Sequence, residues 1–125
     1  MLTKLKFAIV EDNPDYANVV GWMINGNIKI FKEVSEFKDE GFDCVFCDLR
    51  LKETYGLDTI KALREKTCKP IIVLTGMGAG FLGATDFQAF LDAGADEVYR
   101  KEIITDPTFP DMVLKIIEKH NRCSI

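Results

Sequence analysis

The sequence lacks the features that mark nucleic-acid-binding and membrane proteins. Its 16 basic residues are outnumbered by 20 acidic ones, for a formal net charge of −4, whereas binding nucleic-acid phosphates needs a basic face. No apolar run approaches the ~20 residues that span a bilayer. The run Phe7–Val10 is too short for a secretory signal. We therefore expect a cytoplasmic protein that binds neither nucleic acid nor membrane directly.

Cysteine and histidine are too few and too scattered for a zinc site. The chain has four cysteines and one histidine. Cys44 and Cys47 lie in one apolar run, where residues three apart point to opposite faces of a strand. Cys68 and Cys123 are isolated, so we expect buried or unreactive thiols throughout. His120 is expected to place a favourable charge near the negative end of the last helix.

Short apolar runs alternate with helical segments along the chain. Because the runs are continuous, they are typical of strands covered on both faces, as in a parallel sheet. The order predicts one domain over residues 1–125, an α/β fold with a doubly wound, flavodoxin-like sheet of five parallel strands and helices on both faces. The predicted strands are Phe7–Val10, Lys29–Val34 nearer an edge, Cys44–Cys47, Ile71–Leu74 and Val98–Tyr99.

Capping residues and helix breakers limit the helices. Asn13 and Pro14 are typical of a helix start, and the first helix is expected to end near Asn25. Further helical segments are predicted at 35–40, which has room for one or two turns, at 57–66, around 87–91, and after Asp106-Pro107-Thr108. We expect the large aromatic side chains to lie in the core: Trp22, Phe81, Phe87 and Phe90.

Chemistry in open parallel sheets lies beyond the carboxyl ends of the strands. The residues there are Glu11 and Asp12 after the first strand, Asp48 after the third, Thr75 after the fourth and Lys101 after the fifth. Clustered carboxylates repel one another unless a cation lies among them, and their hard oxygens suit Mg²⁺. With Asp48 as nucleophile, and Lys101 and Thr75 binding phosphoryl oxygens, the set fits phosphoryl transfer.

These elements, in this order, resemble the receiver family of two-component signalling over essentially the whole chain. No single motif is specific, but five in order at strand ends are. They are the pair Glu11-Asp12, Asp48-Leu49-Arg50-Leu51, Val73-Leu74-Thr75-Gly76, Ala93-Gly94-Ala95-Asp96, and Lys101. The resemblance implies a single-domain response regulator whose output requires a separate downstream protein.

The resemblance also implies how a phosphoryl group is accepted. Asp48 is the implied phosphoacceptor, and the donor is a histidine kinase or a phosphotransfer protein. The implied ligands of Mg²⁺ are the side chains of Glu11, Asp12 and Asp48 and the backbone carbonyl of Arg50. A homodimer is a further implied partner arrangement. The protein is then a phosphoacceptor rather than an enzyme with a separate substrate.

The remaining motif residues have implied roles around the phosphoryl group. Thr75 is the implied switch hydroxyl and Lys101 the phosphate-binding lysine. Gly56 matches the glycine after the acceptor loop, and Gly76 matches the small residue that leaves room for phosphate. Arg50 and Met77 stand at the two variable positions that tune phosphoryl hydrolysis in this family.

Several positions depart from the family pattern. Val98 stands where the family usually has an aromatic residue, and Tyr99 is expected to face the other way. Glu102 replaces the proline that commonly follows the lysine, so no cis peptide is expected there. Lys52 stands where the acceptor loop often has proline. The stretch after Thr75 is long and rich in glycine, so the output surface is expected to be unusual.

Other functions are compatible with parts of the sequence. A receiver-like fold without phosphorylation would be a protein-interaction module. An aspartate-nucleophile phosphatase would need a second acid where Arg50 stands. The run Gly78–Gly83 matches a nucleotide-binding glycine pattern, but it follows the fourth strand rather than the first. Phosphorylation and Mg²⁺ binding distinguish the first of these from the receiver hypothesis.

Overall fold

A computed structural model describes residues 4–76 and 84–120, with side chains from residue 87 onward in the second range. Five strands and four α-helices lie in these residues, with a 3-10 turn in place of an α-helix between the second and third strands. The strands are β1 (Lys6–Val10), β2 (Asn27–Phe31), β3 (Cys44–Cys47), β4 (Ile71–Thr75) and β5 (Glu97–Arg100). The helices are α1 (Pro14–Ile24), α2 (Leu57–Arg64), α3 (Ala84–Ala93) and α4 (Phe109–Lys119), with 3-10 turns at Val34–Glu36 and Lys101–Thr105.

The strands form one parallel sheet in the order β2-β1-β3-β4-β5. Val10 is in register with Phe31 on one side and with Cys47 on the other, and Cys47 with Val73. The carboxyl ends of the three central strands therefore lie side by side. This confirms the predicted flavodoxin-like α/β fold.

Helices cover both faces of the sheet. Phe7 and Ile9 of β1 pack with buried residues of α1 and α4, whereas Ala8 and Val10 pack with those of α2 and α3. The apolar strands are thus buried on both sides, which is why their hydrophobic runs are continuous. None of the described helices has the length and apolar character needed to cross a membrane.

The second helical segment differs from the prediction. Residues 34–36 form a single 3-10 turn, and β2 ends at Phe31 rather than at Val34. The 3-10 turn is the one helical element that the structure places between β2 and β3. Glu33, predicted to lie in a strand, is instead in the connection that follows it.

The prediction that Trp22 lies in the core is wrong, since the residue is 76% exposed. The buried residues of α1 are Ala17, Val20, Gly21 and Ile24, which form one stripe at helical spacing. Trp22 lies outside that stripe. Of the other aromatic residues, Phe90 is buried and Phe87 is half-buried, as expected, and Phe81 lies outside the described residues.

The predicted helix start at Asn13 is confirmed. Its Oδ1 accepts hydrogen bonds from the backbone N–H groups of Asp15 and Tyr16, the usual arrangement at a helix N-terminus. The α1 helix ends at Asn25, whose φ of 58° is left-handed. The start of α4 is capped differently, because Asp106 Oδ1 accepts from the backbone of Thr108 rather than from inside the helix.

The cysteines follow the prediction in part. Cys44 and Cys47 are free thiols buried on opposite faces of β3, and burial raises the pKa of both. Cys68 was expected to be an unpaired thiol, but it takes part in a disulfide. It lies in the exposed connection between α2 and β4, and an isolated cysteine has no sequence pattern that reveals such a bond. Cys123 lies outside the described residues.

Candidate functional site

The carboxyl edge of the sheet brings three carboxylates together. Hydrogen bonds from Glu11 N to Phe31 O (2.8 Å) and from Asp48 N to Val10 O (3.0 Å) continue the strand pairing past the ends of β1 and β3. One ligand atom from each of Glu11, Asp12 and Asp48 lies within 4.8 Å of the other two. Glu11 and Asp48 are buried, and Asp12 is half-buried.

Lys101 supplies positive charge at the same edge. It follows β5 and begins the 3-10 turn. Its Nζ lies 2.8 Å from Glu11 Oε1 and 3.4 Å from Asp48 Oδ2. Four of the five side chains expected at the strand ends thus form one cluster, in which the carboxylates of Glu11, Asp12 and Asp48 outnumber the Lys101 ammonium.

The burial of the cluster affects the ionisation of Glu11. Burial, opposed by the hydrogen bond with Lys101 and reinforced by the charge of Asp48, raises the pKa of Glu11 from 4.5 to about 7. Burial alone would lower the pKa of Lys101, but Glu11 and Asp48 outweigh it and raise that pKa. The lysine is therefore a permanent cation, and one of the carboxylates is costly to ionise without a further cation.

The cluster suits a hard divalent cation. Its donors are carboxylate oxygens, two of them from buried residues, close enough to share one ion. Mg²⁺ binds such oxygens and keeps several waters, which the half-buried position of Asp12 allows. The residues present therefore fit Mg²⁺.

A tight loop follows Asp48 and returns to α2. The backbone N–H of Arg50 donates to Asp48 Oδ1 over 3.3 Å, and that of Gly56 donates to the carbonyl of Leu49 over 2.9 Å. Gly56 has a φ of 61°, in the left-handed region that favours glycine. These bonds place the Arg50 backbone beside the phosphoacceptor candidate.

Glu33 fixes this loop from the side, a contact that the sequence did not indicate. Its two carboxylate oxygens accept hydrogen bonds from the backbone N–H groups of Lys52 (3.2 Å) and Glu53 (3.1 Å). The residue is only 6% exposed. Nothing in the local pattern distinguishes it from the many solvent-exposed glutamates, so only the fold reveals the contact.

Tyr16 was also missed. Its hydroxyl donates to the backbone carbonyl of Lys101 over 2.8 Å, and its ring centroid lies 4.6 Å from Lys101 Nζ. The contact joins residues 85 positions apart, so no local signal announces it.

The fourth strand ends at the same edge. Thr75 is fully buried there. A Cβ on Gly76 would lie 3.8 Å from Lys101 Cδ, so the small residue is next to the lysine. Met77 and the glycines from 78 to 83 lie outside the described residues.

The structure around β5 agrees with what was expected of the residues there that depart from the family pattern. Val98 is buried against one face of the sheet, and Tyr99 packs on the other, as predicted. The described residues contain no cis peptide bond, which agrees with Glu102 in place of proline.

Comparison with known proteins identifies the family of the chain. The family model of the response regulator receiver domain matches residues 7–113. A nitrate/nitrite response regulator protein homolog from Haemophilus influenzae is 30% identical over 130 residues, covering 95% of this chain and 58% of that protein. The chain thus spans little more than half the length of this relative.

Solved receiver structures share the fold. A two-component response regulator from Clostridium difficile has a TM-score of 0.77 at 18% identity, covering 94% of this chain and 99% of that one. The BeF3-activated receiver domain of DrrB from Thermotoga maritima has a TM-score of 0.71 at 22% identity, covering 93% and 99%. Together with the family match, the fold and the acidic cluster, these similarities show that the chain belongs to the response regulator receiver domain family.

Proposed function

We propose that the chain accepts a phosphoryl group on Asp48 from a histidine kinase or a phosphotransfer protein and signals through altered protein contacts. The observation that carries the proposal is the convergence of Glu11, Asp12 and Asp48 within 4.8 Å beside Lys101. A separate downstream protein would read the signal. The proposed receiver domain spans residues 1–125, and the proposed location is the cytoplasm.

In the proposed step, an oxygen of the Asp48 carboxylate bonds to phosphorus as the nitrogen–phosphorus bond of the donor phosphohistidine breaks. The imidazole leaves with the electron pair and takes a proton from water. Lys101 binds an oxygen of the transferred group, and the Thr75 hydroxyl donates to another. No separate substrate is turned over, and a second copy of the chain is a candidate partner.

Glu11, Asp12, Asp48 and the backbone carbonyl of Arg50 would hold Mg²⁺. When bound, the ion neutralises charge on the phosphoryl oxygens and orients them for in-line attack. The raised pKa of Glu11 supports this assignment, because a divalent cation stabilises the charged form of a buried carboxylate that is otherwise costly to ionise.

The test is intact-mass spectrometry after incubation with acetyl phosphate, with and without Mg²⁺. We expect a single phosphoryl adduct that requires Mg²⁺ and is absent from Asp48→Asn. Asp58→Asn is the matched control, since Asp58 is an exposed aspartate in the first turn of α2 and should leave the adduct unchanged. Mg²⁺ binding without an adduct from acetyl phosphate or from phosphoramidate would contradict the acceptor role.

A further inference from the structure

One side chain holds both ends of Lys101. The Tyr16 hydroxyl donates to the main-chain carbonyl of Lys101 over 2.8 Å. The ring of the same tyrosine lies 4.6 Å from the ammonium nitrogen, within the range of a favourable cation–π contact. Tyr16 therefore restrains where Lys101 begins and where its charge lies.

Tyr16 is itself tied to the carboxylate cluster. Its backbone N–H donates to Asn13 Oδ1 over 3.3 Å, and the backbone N–H of Asn13 donates to Glu11 Oε2 over 3.2 Å. The other oxygen of Glu11 is 2.8 Å from Lys101 Nζ. These contacts form a closed ring that links Glu11 to Asn13, Asn13 to Tyr16, Tyr16 to Lys101, and Lys101 to Glu11.

A lysine needs such restraint more than the other residues of the site do. Its four-carbon stem is flexible, and fixing it costs conformational entropy. Lys101 follows the end of β5, in a 3-10 turn of five residues, so regular strand pairing does not hold it. Tyr16, in the first turn of a capped α-helix, is a more rigid support.

We propose that Tyr16 is a positioning residue for Lys101, holding its ammonium group where it meets a phosphoryl group arriving on Asp48. The proposal rests on the function proposed above, which gives Lys101 its phosphate contact. Burial, and then the charges of Glu11 and Asp48, raise the pKa of Tyr16. The phenol thus stays protonated, and its hydrogen bond to Lys101 persists at neutral pH.

The test compares two substitutions of Tyr16 that remove different contacts with Lys101. Tyr16→Phe removes only the hydrogen bond, and we expect phosphorylation by acetyl phosphate at saturating Mg²⁺ to slow about fivefold. Tyr16→Leu also removes the cation–π contact, and we expect it to slow phosphorylation about 20-fold. Because neither variant changes a proposed metal ligand, the Mg²⁺ dissociation constant should stay within about twofold of the wild-type value.

Two measurements separate positioning from general packing. Val19→Ala weakens apolar packing of the same helix and should not slow phosphorylation in the folded protein. In a Lys101→Met background, Tyr16→Leu should slow the rate by less than about twofold, since residues that act through one another are not additive.

A spectroscopic readout does not depend on phosphorylation. In the free protein, the Lys101 ¹³Cε–¹Hε resonance should be shifted by the Tyr16 ring, keep that shift in Tyr16→Phe and lose it in Tyr16→Leu. The proposal is overturned if Tyr16→Leu is phosphorylated as fast as the wild type, or if its slowing is undiminished without Lys101. A wild-type protein that forms no adduct would instead overturn the proposed function itself.

Discussion

Lys101 Nζ and Glu11 Oε1 are 2.8 Å apart, closer than the lysine is to the candidate phosphoacceptor, Asp48, at 3.4 Å. Without a phosphoryl group, the ammonium therefore binds mainly to the carboxylate at the end of β1. An arriving phosphoryl group on Asp48 would offer three further oxygens and compete for the same ammonium. If Asp48 is phosphorylated as proposed, Lys101 is therefore placed to exchange Glu11 for the phosphoryl oxygens.

Replacing Lys101 with methionine should separate phosphorylation from metal binding. Removing the ammonium takes away a charge that stabilises the phosphoryl group, so we expect phosphorylation by acetyl phosphate to slow about 100-fold. The carboxylate cluster becomes more negative, so Mg²⁺ should bind at least as tightly as in the wild type. Rates by intact mass and Mg²⁺ affinity by calorimetry measure the two effects.

Lys115→Met is the control for this substitution, because Lys115 is an exposed lysine of α4. It should change neither quantity by more than about twofold. A Lys101→Met protein that bound Mg²⁺ much more weakly would show that the lysine supports the structure of the site rather than the phosphoryl group.

The sequence was sufficient to predict the sheet and the residues at its carboxyl edge. Continuous apolar runs such as Cys44–Cys47 identified buried strands, and parallel connections bring their ends to one edge. Glu11, Asp12, Asp48 and Lys101 could therefore be grouped before any distance was known. Their grouping follows from chain order and strand polarity, both of which can be read from the sequence.

The ionisation of Glu11 predicts how stability depends on pH without Mg²⁺. The pKa of Glu11 is about 7 in the folded protein and 4.5 in its ordinary state. Below pH 4.5 both the folded and the unfolded chain keep the proton. Between pH 4.5 and pH 7 the unfolded chain has released this proton while the folded chain still holds it, so the free energy of unfolding falls as the pH rises. Above pH 7 both states have lost the proton, and the decrease in the free energy of unfolding is constant.

Urea unfolding in EDTA at pH 5 and pH 8 measures this loss. Since each unit of pKa difference corresponds to about 1.4 kcal/mol, we expect the wild type to lose at least that much relative to Glu11→Gln. Added Mg²⁺ should restore the wild type at pH 8, because an ion that binds only the folded state stabilises it. Equal pH dependence in the two proteins would show that Glu11 ionises normally.

Glu33 is expected to control the order of the loop after Asp48. Glu33→Ala leaves the backbone N–H groups of Lys52 and Glu53 without the carboxylate that accepts them. Their amide hydrogen exchange should accelerate by about fivefold or more, because each bond contributes about 1 kcal/mol. The Arg50 carbonyl belongs to the same loop, so Mg²⁺ affinity should also fall, by about tenfold.

Glu36→Ala provides the comparison for Glu33. Glu36 is an exposed glutamate of the neighbouring 3-10 turn, and it lines one surface cleft together with Glu33. Its removal should leave exchange at Lys52 and Glu53 and the Mg²⁺ affinity unchanged. If the two alanine variants behaved alike, the effect would come from lost negative charge near Asp12 rather than from the hydrogen bonds of Glu33.

The contacts that support the site could not be predicted in the same way. Tyr16 and Glu33 act on main-chain groups of residues far along the chain, and such contacts depend on how loops pack rather than on strand order. Trp22 was misplaced for a related reason, since a large apolar residue beside the buried stripe of α1 differs from one in it only by helical phase. Composition alone favours a buried position for a large apolar residue at either place on the helix.

Asp96, at the opposite edge of the sheet, should matter for stability and not for the site. Its side chain is fully buried, and its Oδ2 accepts hydrogen bonds from Arg64 and from the backbone N–H of Ile71 at the start of β4. Asp96→Ala removes the carboxylate that accepts from the half-buried Arg64 guanidinium and from the Ile71 amide, which we expect to cost about 1–3 kcal/mol. Asp92→Ala, which removes an exposed carboxylate hydrogen-bonded to Gln88, should cost less than about 0.5 kcal/mol. Urea unfolding measures the stability cost of both substitutions.

The Mg²⁺ affinity of folded Asp96→Ala should equal that of the wild type, because Asp96 lies at the opposite end of the strands from the carboxylate cluster. Weaker Mg²⁺ binding in that variant would mean that the two edges of the sheet are coupled.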